Sequence, residues 1–105
     1  NMRVKPRIAL YKYNLDSGDE TSRILATSPG HELVSVLATA GAQPIAVRIY
    51  DSATASGNSK DSILIAANAG ESSPYTPSQP VPMIRGIYVV IEQGSPSGEV
   101  FLTWN

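Results

Sequence analysis

The chain carries few residues able to make or break bonds. His31 is its single histidine, and cysteine is absent. A Ser-His-Asp set needs a serine held on a sharp turn beside its base, and neither a Gly-x-Ser-x-Gly elbow nor a comparable nucleophile motif occurs. One histidine without a thiolate leaves a zinc or other transition-metal site short of its usual ligands. Residues 51–61 resemble a calcium loop in outline, yet Ala53 and Ala55 stand where an EF-hand needs oxygen. Gly86, Gly94 and Gly98 fall in turns or at strand starts, away from any strand-to-helix junction that would cradle a phosphate. The expectation is a protein that is not an enzyme and has no cofactor.

Binding chemistry is better represented. Arg3, Lys5, Arg7 and Lys12 hold four of the eight basic residues, and the first thirteen positions contain no acid. The remainder then has four basic residues against nine acidic ones, a balance of −5 beside an arm of +4. Such an arm suits an acidic surface, an identical neighbour's body among them, or contact with nucleic acid or an anionic lattice; the other reading is a solvated, partly disordered tail. Pro74-Tyr75-Thr76-Pro77 and Pro77-Ser78-Gln79-Pro80 both satisfy P-x-x-P, a motif read by aromatic-lined grooves but commoner as a structural crossing. Tyr11, Tyr13, Tyr50, Tyr75, Tyr88 and Trp104 are scattered along the chain, which favours core and interface positions over a stacking platform. Trp104, so near the end of the sequence, needs a core or a partner to pack against.

The elements that must position these residues are strands. A chain of 105 residues with low charge and abundant small residues forms one thin core, burying roughly 65% of its unfolded surface. No apolar run reaches the ~20 residues that span a bilayer, and the N-terminus lacks a signal-like apolar stretch, so a soluble protein or part of one is expected. Residues 7–13 alternate as a first strand. Asn14 to Asp19 turn, and 23–28 form a short apolar run stopped by Pro29-Gly30. Residues 31–40 fit helical and strand templates equally, but Val34, Val36 and Thr39 are β-branched and the run is short, which favours a strand. Ile45, Val47 and Ile49 alternate with Ala46, Arg48 and Tyr50 as a half-buried strand; 51–61 read as an exposed loop, and 63–67 continue the sheet. Four prolines, at 74, 77, 80 and 82, keep that stretch out of any sheet centre and make it an extended surface connection.

Residues 85–92 and 99–104 read as the clearest β-hairpin. Both faces of it are mostly apolar, so it must lie at the centre of a sandwich or beneath a neighbour. Six to eight strands with frequent turns predict an all-β fold, a small antiparallel sandwich or jelly-roll-like barrel. The expected division is an extended N-terminal arm and turn over residues 1–20 and one sandwich domain over 21–105.

Two segments carry a resemblance. Val47 to Gly57 with the following strand Ile63-Leu64-Ile65, and Arg85-Gly86-Ile87-Tyr88-Val89 before the closing strand, resemble small β-sandwich virion proteins of tailed bacteriophages. The resemblance spans about residues 33 to 104. It implies a structural protein located in the virion, most simply a capsid decoration or cement protein. The implied partners are itself, as a trimer or dimer, and a major capsid protein or other virion component; membrane and nucleic acid are not expected. The candidate contacts are Arg3, Lys5, Arg7 and Lys12 on the arm and Tyr88, Val90, Phe101 and Trp104 on the strand faces. A tail, fibre or connector component remains an alternative, as does a carbohydrate- or receptor-binding module, which exposed aromatics beside Asp or Asn would favour.

Overall fold

The computed structural model describes residues 8–93 and 95–105, and the arm residues Arg3, Lys5 and Arg7 lie outside the described residues. Nine strands follow in order: β1 (Ala9–Asn14), β2 (Ser22–Ala26), β3 (His31–Ala40), β4 (Ile45–Tyr50), β5 (Ile63–Ala67), β6 (Ser72–Tyr75), β7 (Val81–Met83), β8 (Ile87–Ile91) and β9 (Gly98–Trp104). They form two antiparallel sheets. The front sheet runs β1-β9-β3-β6, with β7 also on β3, and the back sheet runs β2-β8-β4-β5. The fold is an all-β sandwich.

Its pairing has a simple logic. β4 pairs with β5, β3 with β6, β2 with β8 and β1 with β9. The pairs are nested like the two sides of one long antiparallel ribbon, whose tip is the connection between β4 and β5. Successive rungs of the ribbon fall in alternate sheets, which is the jelly-roll arrangement.

Strand alternation places the core. Tyr13, Val36, Ala38, Val100 and Leu102 point inward from the front sheet, and Ile45, Val47, Ile49, Ile87, Val89 and Ile91 from the back sheet. β-branched side chains fill a pleated, two-layer interior well because their fixed rotamers stand upright between neighbouring strands. Residues 31–40 are a strand, as their β-branching predicts.

Four expectations need correction. The terminal segments 85–92 and 99–104 do not form a hairpin: β8 lies between β2 and β4 while β9 lies between β1 and β3, in opposite sheets. Period-two alternation reports which faces are buried, and it is silent on which strand lies alongside. Both strands are central, which accounts for apolar residues on either face. The sandwich also begins before residue 21, since β1 is an edge strand paired along β9 from Ala9↔Trp104 to Asn14↔Glu99. The proline-rich stretch is not only a connection. It supplies β6 and β7, two short strands laid end to end along β3, with Pro74 opposite Leu37 and Pro82 opposite Glu32. Both stay at the sheet edge, where a residue without an N–H leaves no central ladder incomplete. Finally, the nine strands exceed the six to eight expected, because these two were not counted.

Candidate functional site

The two ends of the sandwich differ. At one end the connections are tied to each other: the Gly41 N–H donates to the Ser97 carbonyl (3.0 Å), the Gly70 N–H to the Gly41 carbonyl (2.9 Å), and the Gln43 N–H to Ser97 Oγ (3.0 Å). The Gly98 N–H also donates to Asp16 Oδ1 at 3.2 Å. Four connections are thereby closed over the core.

The opposite end opens into a groove of about 730 Å³. It is lined from three connections: Pro29 after β2, residues between Tyr50 and Asp61 after β4, and Ile84 and Arg85 before β8. Asp51 builds its framework. As the residue following β4, it accepts the Ile84 N–H on Oδ2 (3.0 Å) and the Arg85 and Gly86 N–H groups on Oδ1 (2.6 and 3.2 Å). Burial pulls the carboxyl upward, but the backbone donors of Arg85, Ile84 and Gly86, joined by the Arg85 charge, outweigh it and hold Asp51 below its ordinary value. The carboxylate thus pins the connection ahead of β8 to the end of β4.

The other wall is the 51–58 loop. The buried Ser52 hydroxyl bonds the Thr54 carbonyl (2.8 Å) and receives the Thr54 N–H (3.1 Å), folding the loop on itself. Tyr50 stacks on Tyr88 at 5.6 Å between ring centroids. Gly57 lies close against Tyr50, where a Cβ would fall 2.3 Å from a ring carbon. Tyr50 is also part of the groove lining.

The residues expected to form one interface are dispersed. Tyr88 and Val90 point outward from the back sheet, since Ile87, Val89 and Ile91 point in. Phe101 faces outward from the front sheet beneath Lys12, whose Nζ stands 5.4 Å from its ring centroid and 2.8 Å from Glu99. Trp104 instead packs on the core, opposite Ala9 and Leu33. No single face unites the four strand residues.

The front sheet nevertheless presents an apolar row that the candidate set only touched. Phe101, Leu37 and Pro74 lie side by side across β9, β3 and β6, with Leu10 in the adjoining row on β1. Leu10 is 61% exposed and Leu37 37%. On the back sheet, Ile24 and Leu64 are exposed as well.

His31 begins β3. Its Nδ1–H donates to the backbone oxygen of Asn105 (2.9 Å), which leaves Nε2 to accept the Ser28 hydroxyl (3.0 Å). The pair has the spacing of a nucleophile and its base, but neither residue lines the groove. A second cluster joins the sheets at one side: the Tyr11 hydroxyl donates to Glu20, while Arg23 Nη1 reaches Tyr11 Oη (2.6 Å) and Glu20 Oε1 (2.8 Å). Neither this cluster nor the groove was anticipated. The signal for the groove was an acidic residue ending a strand before a small, hydroxyl-rich loop, which sequence alone could not connect to residues 84–86.

Comparisons with protein-family models, curated proteins and solved structures find no match for this chain.

Proposed function

We propose that the chain is a non-enzymatic structural module of a virion, of the capsid decoration kind, binding copies of itself and a shell protein. The observation that carries the reading is the apolar row on the outer face of the front sheet. A sheet face bearing Leu10, Phe101, Leu37 and Pro74 in adjoining rows favours burial against a partner. Short hydroxyl pairs flank the row, Ser35 with Thr103 at 2.6 Å and Thr39 with Ser72 at 3.2 Å. Each pair uses one of its two hydroxyl protons internally, which lowers the desolvation cost of covering it. Exposed apolar residues on the back sheet would let one copy meet neighbours on two sides, as a lattice requires. The resemblance of residues 47–57 and 85–89 to phage virion proteins supports the same reading, and the jelly-roll topology agrees with it at the level of fold analogy.

Light scattering of the full chain, of a version lacking residues 1–7 and of a Leu10→Lys/Leu37→Lys variant tests the self-contact. The full chain is expected as a trimer or dimer, and the double variant as a folded monomer. Loss of the oligomer on removing residues 1–7 would assign the contact to the basic arm as well. A full chain that is monomeric at all concentrations and fails to co-sediment with tailed-phage heads would end the proposal.

A further inference from the structure

The groove at the open end is built for a ligand of a different kind from a protein surface, and it does not depend on the assembly reading. Asp51 is engaged by three backbone N–H groups, but two other charged groups of the groove are not engaged. Among the described residues neither the Arg85 guanidinium nor the Asp61 carboxylate has a hydrogen-bond or ion-pair partner, though both line the same groove. The Asn58 side-chain oxygen is occupied by the Lys60 N–H (3.0 Å), so the donors of this lining residue are its amide N–H groups. Tyr50, Ser52, Thr54 and Ser56 add hydroxyl-bearing residues to the lining. The wall therefore mixes donors and acceptors along its length.

A polyhydroxylated ligand matches such a wall, because each hydroxyl both donates and accepts. Arg85 would donate to ring or glycosidic oxygens, and Asp61 would accept from hydroxyls. The apolar share of the lining comes from Pro29 and from Ile84, which is 69% exposed despite being a large aliphatic residue. These suit the C–H face of a sugar ring. Stacking on Tyr50 is restricted, since Tyr88 already stacks on its ring and Gly57 lies close against its Cβ, Cγ and Cδ1.

Other ligand classes fit less well. Asp51, Asp61 and Arg85 sum to −1, which disfavours a phosphate or other polyanion. No group of three metal-ligating side chains occurs among the described residues. A single zwitterionic amino acid could bridge Arg85 and Asp61, but it would leave most of a 730 Å³ groove empty. That volume lies within the range of ordinary small-ligand sites, about 300–1,000 Å³.

We propose that this groove binds a short, uncharged or singly charged oligosaccharide, with Arg85 and Asp61 as its hydrogen-bonding poles. Without an aromatic platform the affinity belongs in the millimolar range. The test is a backbone-amide NMR titration of the full chain with maltotriose, tri-N-acetylchitotriose and 3′-sialyllactose, alongside glycylglycine. At least one trisaccharide is expected to shift amides within residues 52–58 and 84–86. An Arg85→Gln/Asp61→Asn variant should weaken that binding tenfold or more while lowering the melting temperature only slightly, because the Arg85 charge is the smallest of the influences acting on Asp51 and the Asp61 carboxylate has no partner among the described residues. Three outcomes overturn the proposal: no trisaccharide moves these amides, the shifts fall elsewhere on the molecule, or glycylglycine alone binds.

Discussion

At Gly98 the backbone has φ +111, and a Cβ there would lie 1.9 Å from the Thr39 carbonyl oxygen and 2.7 Å from the Gly41 nitrogen. Both contacts are with backbone, so nothing flexible can yield. Gly98→Ala is expected to destabilise the protein by about 3 kcal/mol, lowering the melting temperature by roughly 15 °C in a thermal scan. Asp51 acts through charge. Asp51→Asn removes a carboxylate that accepts three backbone N–H groups, at an expected cost of about 2 kcal/mol near neutral pH. Because the folded-state value is depressed, this stabilisation is complete above the unfolded value of about 3.9 and is lost as pH falls through the folded one. The gap between wild type and variant should therefore close in acid, which denaturant titrations at a series of pH values would show. Neither role could be read from sequence. Gly98 looks like any turn glycine until the Thr39 carbonyl is placed beside it, and the partners of Asp51 lie more than thirty residues away.

Among the elements, the strands were legible and their partners were not. Ile45, Val47 and Ile49 alternate with partly exposed residues, and the structure buries all three. The same rule found a strand over Ile87 to Ile91 but did not say which of its two apolar faces is buried, which the structure gives as Ile87, Val89 and Ile91. It failed on pairing, because two apolar faces fit a central strand in either sheet. β1 was recognisable from its alternation, but assigning it to an arm hid its place along β9. The cluster of Tyr11, Glu20 and Arg23 gives that edge strand a second anchor by linking β1 to the start of β2 across the sheets. Arg23 also lies over the Tyr11 ring, 4.7 Å from its centroid. Arg23→Ala should speed hydrogen exchange of the β1 amides and of the β9 amides that bond to β1, while leaving those of β3 as they were. Equal acceleration throughout would show that the edge does not open independently.

On the scale of the whole molecule, the groove explains why so little of the candidate site was visible. It is assembled from positions 29, 50–61 and 84–85, which only the rolled ribbon brings to one end. The apolar row is likewise a product of register: Leu10, Leu37, Pro74 and Phe101 come from four strands, and each alone is an unremarkable surface residue. Nesting has a further consequence, for the order in which the protein can form. Only β4 and β5 are neighbours both along the chain and in a sheet, so the ribbon has a local starting point at its tip and must close outward. Its last rung joins Ala9 to Trp104. Such long-range closure belongs to the slow, millisecond-to-second class of folding reactions. A version ending at residue 97 should lack cooperative unfolding, since β1 and β3 would both lose the strand between them. On the ribosome β1 is made before the other eight strands, and it must wait, unpaired, until β9 has been synthesised, although β3 can already hold β6 and β7.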